Sequence, residues 1–215
     1  MEKARAAVIL CAFALAPTCP VRAATMAVTL LDRDGHGFAD AVIEIRPLEQ
    51  AQPSAAPISA VMDQVNLQFR PEVLVVPVGS NVAFPNSDHT RHQVYSFSAA
   101  RKFQLPLYRG KPYPPLVFPT PGIVTLGCNI HDEMVAYIRV TDAPYYGQTD
   151  NDGHWRAILP AGHYRLQLWH PRIRDDSGSL ARDFVLETND EMTLSLRLAR
   201  SVLPPPPEGN VAWAY

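Results

Sequence analysis

Cysteine is nearly absent. The chain has three in 215 residues. Two of them, Cys11 and Cys19, fall in an N-terminal stretch with the pattern of a secretory leader. "MEKAR" is a basic n-region carrying Lys3 and Arg5, "AAVILCAFALA" is an apolar h-region, and "VRAAT" offers small residues for cleavage after Ala23. The apolar run is too short to span a bilayer, and Pro17 and Pro20 interrupt it. "APTC" is a poor lipidation site. Residues 1–23 are therefore expected to be a signal peptide, with the protein periplasmic or secreted. The exported chain then keeps Cys128 alone, so no intramolecular disulfide can form. An unpaired thiol in an oxidising compartment is a liability unless it is buried or bound to metal.

Other features are missing too. No later segment is long and apolar enough to cross a membrane. There is no basic excess: the whole chain is −2. The exported form, losing Lys3, Arg5 and Arg22 against Glu2, is about −4. That excludes a generally basic nucleic-acid binder. No Ser/His/Asp order, phosphate loop or paired-carboxylate pattern stands out, so no enzyme activity is expected. Acidic residues are also missing between His89 and His131, a span that holds Arg91, Arg101, Lys102, Arg109 and Lys111. Gathered on one face, these five could steer an acidic partner; an ordinary solvated face is the alternative.

Sustained helical periodicity is absent as well, and what remains is β. Short runs rich in Val, Ile, Leu and aromatics recur between turn signals. Examples are "MAVTLLD", "EVLVVPVG", "HQVYSF", "IVTLG", "VAYIRV" and "YRLQLW". Most of the 21 prolines lie between such runs. This spacing predicts an all-β protein of β-sandwiches. "DRDGHG" at 32–37 and "DNDGHW" at 150–155 suggest calcium loops, but neither supplies both the third acidic position and the distal Glu of an EF-hand. They read as Asp-Gly turns between strands. "EQAQPSAAP" at 49–57 is a linker, and 201–215 is a Pro-rich tail.

The chemistry concentrates in "GCNIHDEM" at 127–134, where Cys128, His131 and Met134 stand at three-residue steps between two strand patterns. Thiolate and thioether are soft ligands. With one more imidazole they would complete a set of two His, one Cys and a weak axial Met, the blue-copper set. A structural zinc site suits this loop poorly, because it prefers three or four Cys and His ligands. The second imidazole comes from "NSDHTRHQVYSF", as His89 or His92. His92 opens an alternating strand and His89 lies in a polar loop, so His92 is the better placed. A buried Cys with a core Met and a surface His remains the alternative.

The middle block resembles the cupredoxins, the small copper proteins of plastocyanin, azurin and amicyanin type. The resemblance rests on "FPNSD…HQV" followed by "PGIVTLGCNIHDEMVAYIRV", and it covers nearly the whole of 60–140. The wording is closer still to exported proteins labelled methylamine utilisation proteins. The resemblance implies a Greek-key sandwich holding one type-1 copper on His92, Cys128, His131 and Met134. It also implies single-electron transfer to a protein redox partner, such as an acidic-surfaced dehydrogenase or a cytochrome. The alternatives are a copper-delivery module or an accessory subunit of an oxidoreductase. One position departs from the family. Gln93 stands where many cupredoxins have an Asn that braces the ligand loop, and Asn86 or Asn129 could substitute for it.

The flanks resemble a second family. "TDNDGHWRAILPAGHYRLQL" together with "MAVTLLDRDGHGFADAVIEIRP" is similar to the carboxypeptidase regulatory-like, or prealbumin-like, β-sandwich. Because the two pieces flank the copper block, the cupredoxin is expected as an insertion into a discontinuous sandwich, 25–50 plus 141–200. That sandwich would dock or scaffold, by analogy of fold. His36, His154, His163 and His170 lie in turns and strand ends and suggest no second metal site.

Overall fold

The structure is a computed structural model that describes residues 23–49, 52–110, 112–174 and 179–205. The signal peptide assignment therefore lies almost wholly outside the described residues. The chain is all β. It opens with β1 (Ala23–Leu31) and β2 (Val42–Pro47). It then runs through β3 (Ser59–Val61), β4 (Asp63–Val65), β5 (Gln68–Arg70), β6 (Val73–Pro77), β7 (Ser80–Ala83), β8 (His92–Ser96), β9 (Phe103–Tyr108), β10 (Leu116–Phe118), β11 (Gly122–Gly127) and β12 (Val135–Thr141). It ends with β13 (Tyr145–Gln148), β14 (His154–Pro160), β15 (Gly162–Trp169), β16 (Ser179–Leu186) and β17 (Glu191–Arg197).

These strands make two sandwiches, each with its own core. The outer segments form sheets of order β14-β1-β17 and β13-β2-β15-β16. Met26, Val28 and Leu30 alternate inward on β1, and Ile43 and Ile45 on β2. They meet Tyr164, Leu166 and Leu168 of β15. The period-2 placement of apolar residues is what commits these runs to strands with one buried face. The middle segment forms sheets of order β6-β12-β11-β8-β9 and β10-β7-β3, with the hairpin β4-β5 beside them. Val82, Phe84, Val94, Phe118, Val124, Leu126, Ala136 and Ile138 fill the space between.

The two Asp-Gly segments are turns. Asp32 Oδ1 accepts the backbone N–H of Asp34, Gly35 and His36 at 2.8–2.9 Å. Asp150 Oδ1 does the same for Asp152 and His154. Each carboxylate satisfies its own turn amides, the geometry of an Asx turn.

The sandwiches are joined through the faces their cores do not use. β12 sends Ala136, Ile138 and Val140 inward, so Tyr137 and Arg139 point away. β2 sends Ile43 and Ile45 inward, so Val42 and Glu44 point away. Val42 packs with Val73 and Val75 of β6, flanked by Tyr146 and Trp169. The Tyr137 and Trp169 rings meet edge to face, 6.0 Å apart. Arg139 grips Glu44 with Nε 3.0 Å from Oε1 and Nη2 2.7 Å from Oε2, and Arg46 links Glu44 to Asp142. Glu44 is 1% exposed. Burial opposes its charge, yet the Arg139 and Thr141 hydrogen bonds and the two guanidinium charges hold its carboxyl below the usual range.

His170 is the other buried ionisable group near this junction. Its ring meets Phe38 edge-on at 4.9 Å, and its Nδ1 accepts the Arg172 N–H at 3.2 Å. Burial first, and then the Arg172 charge, push its pKa from 6.5 down to about 3. The folded protein keeps it neutral.

Removing one member of a buried ion pair strands the other. Arg139→Leu is expected to cost about 3–5 kcal/mol in urea unfolding, and Glu44→Leu with Arg139→Leu to recover most of it. A double variant as weak as the single would refute the pairing. Acid acts in a known direction. Below pH 6.5 the unfolded chain protonates His170 while the folded chain resists down to about 3, so stability falls with pH across that window. Stability from Glu44 is likewise present at neutral pH and lost as pH falls through its depressed value. His170→Gln should flatten the melting-temperature loss between pH 6 and 4, measured by calorimetry; an unchanged slope would count against this assignment.

Candidate metal centre

Three donors converge at one end of the middle sandwich. On β8, His92, Val94 and Ser96 face inward and Gln93 and Tyr95 outward. His92 is 0% exposed, while His89 is exposed on the preceding loop. β8 has a register shift against β9 between His92 and Val94, so the bulge re-aims the strand where the imidazole projects. β11 ends at Gly127 and Cys128 follows it into the core, 2% exposed. The loop then turns tightly, with the Met134 N–H donating to the His131 carbonyl at 3.0 Å, and β12 begins at Val135. Gly127 serves this turn through its missing side chain: a Cβ there would lie 2.7 Å from the Tyr95 ring.

His92 Nδ1 lies 3.1 Å from His131 Nδ1, and Cys128 Sγ lies 3.9 Å from the same His131 nitrogen. The three donor atoms stand within 4.8 Å of one another, the one such cluster of three among the described residues. Donors bound at about 2.0–2.3 Å to one ion stand about 3–4 Å apart, and the two separations at His131, 3.1 and 3.9 Å, are of that size. Met134 is 1% exposed and shares the core cluster of Cys128. His131 is half-buried, and Asp132 and Glu133 beside it are exposed. His36, His154, His163 and His170 belong to no such cluster.

The groups tune one another. Burial works against the Cys128 thiolate, but the His92 ring and the backbone N–H groups of Gln93 and Ile130 outweigh it and hold the thiol below its ordinary value. Burial likewise opposes charge on His92, and Cys128 and Asp88 raise its pKa above the usual value. His131 is lowered, by burial and then by His92. A thiol that ionises readily is what a soft metal requires.

Three further features support the ligands. Asp88, which sequence alone places in a polar loop, receives His92 Nε2 at 2.7 Å. Gln93 contributes its backbone N–H to the sulfur. Asn86, one of the two asparagines expected as a substitute brace, ties down the loop before His92: its Nδ2 donates to the carbonyls of Thr90 and Tyr108 at 3.0 and 2.9 Å, and its Oδ1 accepts the Asp88 N–H. The i,i+4 spacing of Asp88 and His92 was the one available signal.

No protein-family model matches the chain, and no curated protein matches it. Solved structures resemble part of it. The copper-containing nitrite reductase from Thermus scotoductus is 28% identical over 45% of this chain and 25% of its own, with a TM-score of 0.37. The purple cupredoxin from Nitrosopumilus maritimus is 24% identical over 38% of this chain and 99% of its own, with a TM-score of 0.35. A reduced copper(I) form of an amicyanin variant is 20% identical over 46% of this chain and 99% of its own, with a TM-score of 0.36. The chain thus spans a quarter of the nitrite reductase, and each of these three likenesses covers less than half of this chain.

Proposed function

We propose that the protein is an exported carrier of single electrons that holds one copper ion of the blue, type-1 kind. His92, Cys128 and His131 are its strong ligands and Met134 its weak axial one. The observation that carries this reading is the convergence of two imidazole nitrogens and the one retained thiol, at 3.1 and 3.9 Å. Bound there, copper supplies reversible one-electron chemistry.

The residues do the rest. His92 and Cys128 are fixed at strand ends in a dry core, so the donors need little movement when the charge at the site changes. Burial of Met134 and Cys128 excludes water. His131, half-buried on the loop, gives the electron a route to the surface, where the neighbouring Ile130 stands exposed. Exposed Arg91, Lys102 and Arg109 steer an acidic redox partner, a dehydrogenase or a cytochrome. Residues 60–140 form a cupredoxin domain inserted into a prealbumin-like domain made of 25–50 and 141–200, which docks or scaffolds. Residues 1–23 direct export, and the carrier works in the periplasm or outside the cell. In support, the outer segments share one core and the middle segment another.

The mature protein loaded with copper should show a strong thiolate-to-copper band and a reversible voltammogram, and Cys128→Ser should abolish the colour. Colour retained in that variant would refute the ligand set. A colourless, labile copper(I) complex would instead mark a delivery module. Electron exchange with an acidic partner protein should slow as salt rises from 0.05 to 0.5 M; a rate indifferent to salt would eliminate steering.

A further inference from the structure

The His92 imidazole has two nitrogens, and the structure gives each a separate task. Nδ1 faces His131, 3.1 Å from its Nδ1, in the group that includes Cys128. Nε2 faces away, 2.7 Å from Asp88 Oδ2. Asp88 is itself held from outside the site. Its Oδ1 accepts the Asn66 N–H at 2.7 Å and its Oδ2 the Leu67 N–H at 2.9 Å. These amides belong to the two-residue turn between β4 and β5, where Asn66 has φ 52° and Leu67 φ 58°. Two successive left-handed residues make a type I′ turn, and Leu is an unfavourable occupant of that region. The turn therefore holds a costly backbone conformation whose amides point at this one carboxylate. On the other side the Asp88 N–H donates to Asn86 Oδ1 at 3.0 Å. Asp88 is thus fixed by three hydrogen bonds, two from the backbone of the 66–67 turn and one from its own N–H to the Asn86 side chain, and His92 is the side chain it in turn fixes.

We propose that Asp88 is the positioning residue of the metal centre: it locks the His92 ring with Nδ1 turned inward, and its negative charge favours the oxidised state of the bound ion. The inference rests on the copper reading above. The logic has two parts. The nitrogen that carries the proton is set by the hydrogen bond it makes, so a carboxylate at Nε2 leaves Nδ1 as the lone-pair donor. A carboxylate on the far side of a ligating imidazole raises the basicity of the ligand, and the added negative charge stabilises the higher charge on the metal. Asp88 is only 12% exposed, so water screens this charge weakly.

Asp88→Asn keeps the size and removes the charge. It should lower copper(II) affinity roughly 10- to 100-fold in a chelator competition and raise the reduction potential, with the blue band retained. Asp183→Asn removes an equal charge from an exposed pair with Arg165 on the other sandwich and should change neither. A blue wild type whose Asp88→Asn variant keeps wild-type affinity and potential would overturn this inference alone. A wild type with no thiolate-to-copper band would overturn the copper reading and this inference with it. A measurement on the unsubstituted, copper-free protein guards against a variant that does not fold. Nitrogen-15 NMR of the neutral His92 ring, recorded at alkaline pH, should show its one proton on Nε2; a neutral ring protonated on Nδ1 would overturn the positioning role.

Discussion

Strand β12 is committed on both faces, and the rest of the molecule is arranged around that constraint. Ala136, Ile138 and Val140 close the middle core, while Tyr137 and Arg139 engage Trp169 and Glu44 of the neighbouring sandwich. Met134 immediately precedes its first residue. The strand that closes the candidate centre is therefore the strand that joins the two sandwiches. Such a strand has no face left on which to slip: a shift of one residue would move its apolar set out of the core and the Arg139 guanidinium into it. The loop that carries Cys128 and His131 inherits this fixed position.

The junction itself is polar at its centre, which distinguishes it from the two cores. Glu44 is buried and doubly hydrogen-bonded to Arg139. Burying charges rarely adds net stability compared with apolar residues of the same shape. What the pair does add is a directional contact: both guanidinium nitrogens must meet the carboxylate, at 3.0 and 2.7 Å. The apolar patch of Val42, Val73 and Val75 could tolerate small sliding, and the ion pair cannot.

Much of the architecture was legible from period and punctuation. The long strands β1, β11, β12 and β15 alternate clearly, and the turns at 32–37 and 150–155 carry their own acceptors. The short elements were not. β3, β4, β5 and β10 have three residues each, too few for any period to register. β9 contains Pro106, which demotes a run read from sequence. It is tolerated because β9 lies at the edge of its sheet, where one side of the strand makes no ladder bonds.

The sequence by itself determined the chemistry available: one thiol beyond the first 23 residues, a thioether and an imidazole on a loop between strands, and a choice of two upstream histidines. These follow from residue type and spacing, which need no third dimension. Only the tertiary structure decided which groups act together. It buried His92 and left His89 in solvent, because β8 begins at His92 and its inward face is the core. It brought Asp88 behind the ring through a turn some twenty residues earlier in the chain, and it aimed the backbone amide of Gln93 at the sulfur. Hydrogen bonds of that kind depend on where strands and turns meet in space, and backbone amides carry no residue identity from which the meeting could be read.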